Sequence, residues 1–328
     1  MKLIALTLAL ALHALTTSAA LAAPAAGWKP EKFVEFIVPT GVGSGVDNTA
    51  RTVQQILQSN KLVTQAIAVT NRPGGNYGIA MNYLSQQNGD PHKLMVQTST
   101  PLTAIIQGQI KLNYFDFTPI VTLISEPICF VVAANSPLKT ARDVTARLKA
   151  DPESISIALS AARGNAFHIV AALVARSAGA DIRKLKIVVF NASSDGVIAA
   201  AGGHVDVMAA TPATVMPLVQ AGRVRILGIA ANARLKGAAA LIPTFKEQGI
   251  DAVFDLPRGF IAPRQLRAEH VRHWDSVFAQ MVKSNDWRQA VEKFQWEERY
   301  LNSADSGKEL RRQYGILKDV LGELGMMQ

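Results

Sequence analysis

Six segments of this chain leave an apolar run and enter a short stretch of glycine, hydroxyl and amide residues. They are Pro39-Thr40-Gly41-Val42-Gly43-Ser44-Gly45-Val46-Asp47, Asn71-Arg72-Pro73-Gly74-Gly75-Asn76-Tyr77-Gly78 and Thr98-Ser99-Thr100-Pro101. In the second half come Ser160-Ala161-Ala162-Arg163-Gly164-Asn165, Asn191-Ala192-Ser193-Ser194-Asp195-Gly196 and Thr211-Pro212. Glycines let a backbone approach a ligand closely and bare its N–H groups. Hydroxyls add donors, and a helix that starts just past such a loop adds a partly positive end. Together these groups form a cradle for a carboxylate or phosphate. Any one of them also suits an ordinary strand-to-helix turn, so the signal lies in their number.

Four further side chains stand near these loops. The guanidinium forks of Arg163 and Arg258 match a carboxylate bidentately, although an arginine in a polar loop is more often a solvated surface group. Phe167 is either core or an aromatic wall for an apolar ligand body. His168 opens a helix, where a lone histidine caps or packs more often than it reacts.

Reactive constellations are sparse. Gly41-x-Gly43-x-Gly45 is not G-x-G-x-x-G, since residue 46 is Val, and neither a P-loop nor H-E-x-x-H occurs. The six histidines (13, 92, 168, 204, 270 and 273) lack zinc-ligand spacing with nearby carboxylates. No metal, cofactor or catalytic residue is expected. Ala192-x-Ser194-x-Gly196 is one substitution from the nucleophile elbow G-x-S-x-G, with His204, His270 and His273 downstream. An exported α/β hydrolase using Ser194 is therefore the competing reading, against which Asp195 has a simpler role as a helix cap.

The elements that must position these loops alternate. Strands are expected at Phe33–Val38, Ala66–Thr70, Lys93–Gln97, Ile128–Ala133, Ser154–Ala158, Lys186–Phe190, Val205–Ala209 and Val224–Ala230. Helices are expected over 48–59, capped by Asp47, and over 166–178 and 266–283, from apolar residues at helical spacing. Strand–helix alternation implies an α/β fold of doubly wound, mostly parallel sheets, whose ligands sit beyond the carboxyl ends of strands.

Composition narrows the class of protein. The 328 residues are 49% hydrophobic and 18% charged, enough for one large or two ordinary domains. The net charge of +9 is spread without a basic run, which argues against nucleic acid and suits small anions. Lys2, the apolar run Leu3–Leu12 and Ala20-Leu21-Ala22 read as an export signal over residues 1–23, cleaved near Ala22 or Ala23. Cys129 is the only cysteine and falls in an apolar strand, so an inert buried thiol is expected.

In order and spacing the chain resembles the periplasmic substrate-binding receptors of tripartite tricarboxylate transporters, the Bug family. The resemblance rests on Val38–Arg51, on Val69–Gly78 and on Gly164-Asn165-Ala166-Phe167-His168. It extends through Ala201–Asp206, Ala221–Arg225, Ile242–Gly249 and Gly259–Pro263. It implies a two-lobed Venus-flytrap fold without catalysis: lobe 1 from 28–125 plus 232–328, lobe 2 from 126–231. By the same resemblance, the loops Thr40–Asp47 (Thr40, Val42, Gly43, Ser44, Asp47) and Ser160–His168 (Ser160, Ala161, Arg163, Asn165, Phe167, His168) would grip a carboxylate. Asn76, Tyr77, Ser99, Asn191, Ser193, Asp195 and Thr211 would complete the pocket. The chain departs from the family pattern at Ser44, Phe167 and Arg258. Those changes point to a larger dicarboxylate, or an aromatic carboxylate, whose far end meets Arg258 or Arg163. The implied partners are a small organic acid and a membrane permease, with the receptor a periplasmic monomer. A chemosensory role for the same fold stays open.

Overall fold

The computed structural model describes residues 27–160, 162–294 and 296–328. The export signal expected over residues 1–23 and the candidate site residue Ala161 lie outside them. Two sheets organise the chain. The first contains β1 (Val34–Val38), β2 (Ile67–Asn71), β3 (Lys93–Gln97), β4 (Thr118–Pro127), β10 (Asp255–Ala262) and β11 (Glu297–Leu301), in the order β11-β4-β10-β3-β1-β2. The second contains β5 (Cys129–Ala133), β6 (Ser156–Ser160), β7 (Lys186–Phe190), β8 (Val207–Ala210) and β9 (Val224–Ile229), in the order β7-β6-β8-β5-β9. The chain leaves the first sheet after Pro127, enters the second at Cys129 and returns between Ile229 and Asp255.

Pairing is parallel for β1–β2, β1–β3, β6–β7 and β6–β8. It is antiparallel wherever β10, β11 or β5 takes part. Each lobe is thus a mixed sheet, where the sequence predicted mostly parallel ones. In the first sheet β4, β10 and β11 carry the difference, and in the second β5 does; the sequence does not predict the first three. Their prolines (Pro119, Pro127, Pro257) and their acidic and basic residues mask the apolar pattern.

Nine of the helices frame the sheets: α1 (Gly45–Ser59), α2 (Gly78–Ser85), α3 (Thr100–Ile106), α4 (Ala141–Ala150), α5 (Ala166–Ser177), α6 (Ser193–Ala201), α7 (Pro212–Gln220), α8 (Ala268–Met281) and α9 (Asn285–Phe294). Helix α1 starts three residues earlier than predicted. Its N-cap is Ser44, whose Oγ accepts the Asp47 N–H at 3.1 Å, so Asp47 sits inside the first turn. Helices α1 and α8 bury Val53, Leu57, Trp274 and Phe278 against Phe36 and Phe260 on one face of the first sheet. The opposite face shares a continuous core with one face of the second sheet, through Ile37, Met95, Phe130, Ile169 and Leu317. Leu317 belongs to α10 (Ser303–Glu323), the last helix, which packs on β4, α3 and α5. Glu323 of α10 also pairs with Arg176 of α5 at 2.9 Å. Cys129 lies in the remaining core layer, where burial pushes its thiol well above the usual range.

Candidate functional site

Between the two sheets lies a cavity of about 490 Å³, within the range of small-molecule sites. The strand-to-helix loops position it. Gly45 and Val46 open α1, Thr100 opens α3, Asn165 and Ala166 open α5, and Thr211 with Ala213 opens α7; all seven line the cavity. Helix N-termini from both lobes therefore converge on one space. Asn165 Oδ1 caps α5 by accepting the His168 N–H at 3.2 Å, and Ser44 does the same for α1. The earliest N–H groups of each first turn have no partner inside their helix. Such groups carry partial positive charge, as the glycine- and hydroxyl-rich strand exits lead one to expect from sequence.

Around these helix ends stand Asn48, Tyr77, Thr98 and Thr214 as polar groups, and Phe167, Leu256, Phe294 and Trp296 as apolar walls. The rings of Phe294 and Trp296 stack at 4.7 Å. Asn76 and Tyr77 both hold left-handed backbone (φ 48° and 80°), rarely adopted by residues with a side chain. This turn brings the Tyr77 hydroxyl to Thr98 and Thr100, and burial pushes the phenol's pKa up, more than those hydrogen bonds lower it. Among the described residues, Arg258 and Glu126 are the charged side chains that line the cavity. Arg258 is 8% exposed; its Nη2 donates to Glu126 Oε2 at 2.5 Å and its Nη1 to the Gly45 carbonyl at 3.0 Å. A bulge between Arg258 and Gly259 sets this aim, and a Cβ on Gly259 would collide with the Val121 carbonyl.

Of the residues singled out from sequence, Tyr77, Asn165, Phe167, Thr211 and Arg258 line the cavity. The others take different positions. Thr40 Oγ1 lies 2.6 Å from Ser44 Oγ, and Val42 and Gly43 are exposed. Asp47 accepts from the Gly43 N–H, Arg51 Nε and Asn71 Nδ2 at 2.8–2.9 Å. Asn76 bonds Gln109, and Ser99 is buried as the N-cap of α3. Ser160 Oγ meets Ser193 Oγ at 2.7 Å, while Asn191 and Asp195 are exposed. Arg163 is exposed and donates to the Ile187 carbonyl, so Arg258 is the arginine that reaches the cavity. His168 is buried; its Nδ1 accepts the Gly164 N–H at 2.9 Å, and burial with the Arg163 charge lowers it to about 4. It shapes the loop as a neutral acceptor. Gly164 needs its left-handed φ of 83° for that contact.

Reading the sequence alone misses Glu126, Leu256, Phe294 and Trp296, which lie on or beside β4, β10 and β11, whose existence the apolar pattern hides; in the loop Thr98–Pro101 it singles out Ser99, where Thr98 and Thr100 line the cavity. As for the competing hydrolase, Ser194 is exposed, and among the described residues no histidine is hydrogen-bonded to it. His270 and His273 instead pack their rings against Trp28.

Two sheet-based lobes around a cleft lined by helix N-termini define a solute-binding receptor. Residues 49–326 match the tripartite tricarboxylate transporter family receptor, TctC, and the chain belongs to that family. Among curated relatives, the "UPF0065 protein in gbd 5'region" of Cupriavidus necator is 25% identical over 300 residues, spanning 90% of this chain and 89% of its own. Two solved structures share the fold. A ligand-free TctC solute-binding protein from Polaromonas has a TM-score of 0.79 at 24% identity, over 90% of this chain and 99% of its own. An R. palustris protein solved with adipate has a TM-score of 0.74 at 20% identity, over 90% and 98%.

Proposed function

We propose that this receptor captures a carboxylate with an apolar, preferably aromatic, body between its lobes and hands it to a tripartite tricarboxylate permease from the periplasm. The observation that carries the reading is the convergence of the α1, α5 and α7 N-termini on one cavity with Phe167, Leu256, Phe294 and Trp296 around it. First-turn N–H groups hold the carboxylate, and the rings and Leu256 cover the body. The lobes, 28–125 with 232–328 and 126–231, close by hinging where the chain crosses between sheets. Micromolar affinity corresponds to about 8 kcal/mol, within reach of a few charge-assisted hydrogen bonds plus apolar burial.

A thermal-shift panel of aliphatic and aromatic carboxylates tests the binding step, because a ligand bound only by the native state raises Tm. At least one aromatic carboxylate is expected to raise Tm by several degrees, and X-ray scattering is expected to show a smaller radius of gyration with it. A panel in which no carboxylate moves Tm would overturn the receptor reading. Unchanged scattering at saturation would overturn the closure step.

A further inference from the structure

Among the described residues, one cation and one anion line the cavity, and they are already joined. Glu126 lies opposite Leu256 across the β4–β10 pair, diagonal to Arg258, whose Nη2 meets Glu126 Oε2 at 2.5 Å. The side chains are 10% and 13% exposed, so water screens them little. Arg258 Nη1 is spent on the Gly45 carbonyl at 3.0 Å and, more distantly, on Thr49 Oγ1 at 3.4 Å. Arg258 thus brings no net charge to a ligand, since the glutamate beside it cancels it. A second carboxylate placed at Arg258 would face Glu126 in the same enclosed space, so its attraction to the guanidinium is opposed by repulsion from the glutamate.

Glu126 contributes something else. Its Oε2 is occupied by Arg258, and among the described residues its Oε1 receives no hydrogen bond, while the residue lines the cavity. A carboxylate oxygen facing a ligand is an acceptor without a donor, and it selects for a ligand that supplies one. The apolar walls Phe167, Phe294 and Trp296 stand in the same cavity.

We propose that Glu126 is a specificity-determining residue that makes the receptor prefer an aromatic monocarboxylate bearing a hydroxyl or amino donor over a dicarboxylate of the same shape. The inference deepens the carboxylate reading above and rests on it. The N-termini of α5 and α7 take the single carboxylate, the rings take the body, and Glu126, on the opposite wall beside the α1 entry and Arg258, takes the donor.

Calorimetry on the mature protein with 4-hydroxybenzoate, benzoate, terephthalate and adipate separates the cases. The expected order is 4-hydroxybenzoate first, benzoate about tenfold weaker, and terephthalate weaker than 4-hydroxybenzoate by tenfold or more. In Glu126→Gln the guanidinium loses its counter-charge, so terephthalate is expected to gain at least tenfold while 4-hydroxybenzoate does not. Terephthalate or adipate binding wild type more tightly than 4-hydroxybenzoate would overturn this inference and leave the carboxylate receptor intact. Equal affinities for benzoate and 4-hydroxybenzoate would overturn it too. If none of the four acids binds while another carboxylate does, the inference fails alone; if no carboxylate binds, the receptor reading fails with it. The wild-type series decides the matter even where Glu126→Gln does not fold.

Discussion

Arg258 Nη1 donates to the carbonyl of Gly45 at 3.0 Å, and a Cβ on Gly45 would lie 3.0 Å from Arg258 Nη2. A glycine at the first position of α1 therefore lets a strand arginine pass beneath a helix N-terminus. A cation there opposes the helix dipole. The Gly45 carbonyl and the Glu126 carboxylate offset that opposition, which ties β4, β10 and α1 into one rigid wall of the cavity.

Breaking this pair from one side is predicted to be costly. Arg258→Met leaves Glu126 enclosed without its partner and is expected to lower unfolding stability by about 3–5 kcal/mol. Arg258→Met combined with Glu126→Leu is expected to recover most of the loss, because an apolar pair of similar volume needs no counter-charge. Urea denaturation checks both, and equal losses in the single and double variants would show that the pair is not the source.

Asp47 should govern part of the acid limb of stability. Burial raises its pKa, but the hydrogen bonds from Arg51, Gly43 and Asn71 outweigh that and hold it below the usual carboxylate range. A carboxylate depressed in the folded state stabilises above its unfolded pKa of about 3.9, and that stability is lost as pH falls through the folded value. Asp47→Asn is predicted to cost about 1–3 kcal/mol at pH 7 and to flatten the decline below pH 4, read from melting curves across pH.

His168 is predicted to stay neutral to about pH 4, with its Nδ1 unprotonated. Its folded value lies below the unfolded one of about 6.5, so its contribution is complete above pH 6.5 and is lost as pH falls toward 4. Imidazole carbon shifts followed by NMR check this; an inflection near pH 6.5 would contradict it.

Phe167→Ala removes a half-buried wall of the cavity. It is expected to weaken an aromatic acid by about tenfold, the equivalent of 1.4 kcal/mol, with a small change in Tm. Calorimetry and melting on the same sample separate the two effects.

The sequence shows the glycine- and hydroxyl-rich loops correctly but says less about which atoms in them are free. Ser44 and Asp47 spend their oxygens on the α1 entry loop, Arg51 and Asn71, and the cavity lining falls to Gly45, Val46 and Asn48, one residue away. Helical periodicity places α5 and α8 to within two residues, since their apolar faces bury Ile169, Leu173, Trp274 and Phe278. Glu126, Leu256 and Trp296 leave no such trace. Glu126 and Leu256 lie on antiparallel strands and Trp296 just before one, all far apart along the chain, and only pairing of those strands brings them to the loops.

A crystal structure of the mature protein with the aromatic acid that raises Tm most would test the central claim most directly. The account predicts carboxylate oxygens about 2.7–3.1 Å from first-turn N–H groups of α5 or α7, with the other end of the ligand turned to the wall formed by α1, Arg258 and Glu126. A carboxylate seated on Arg258 with Glu126 displaced, or bound outside the space between the lobes, would contradict it.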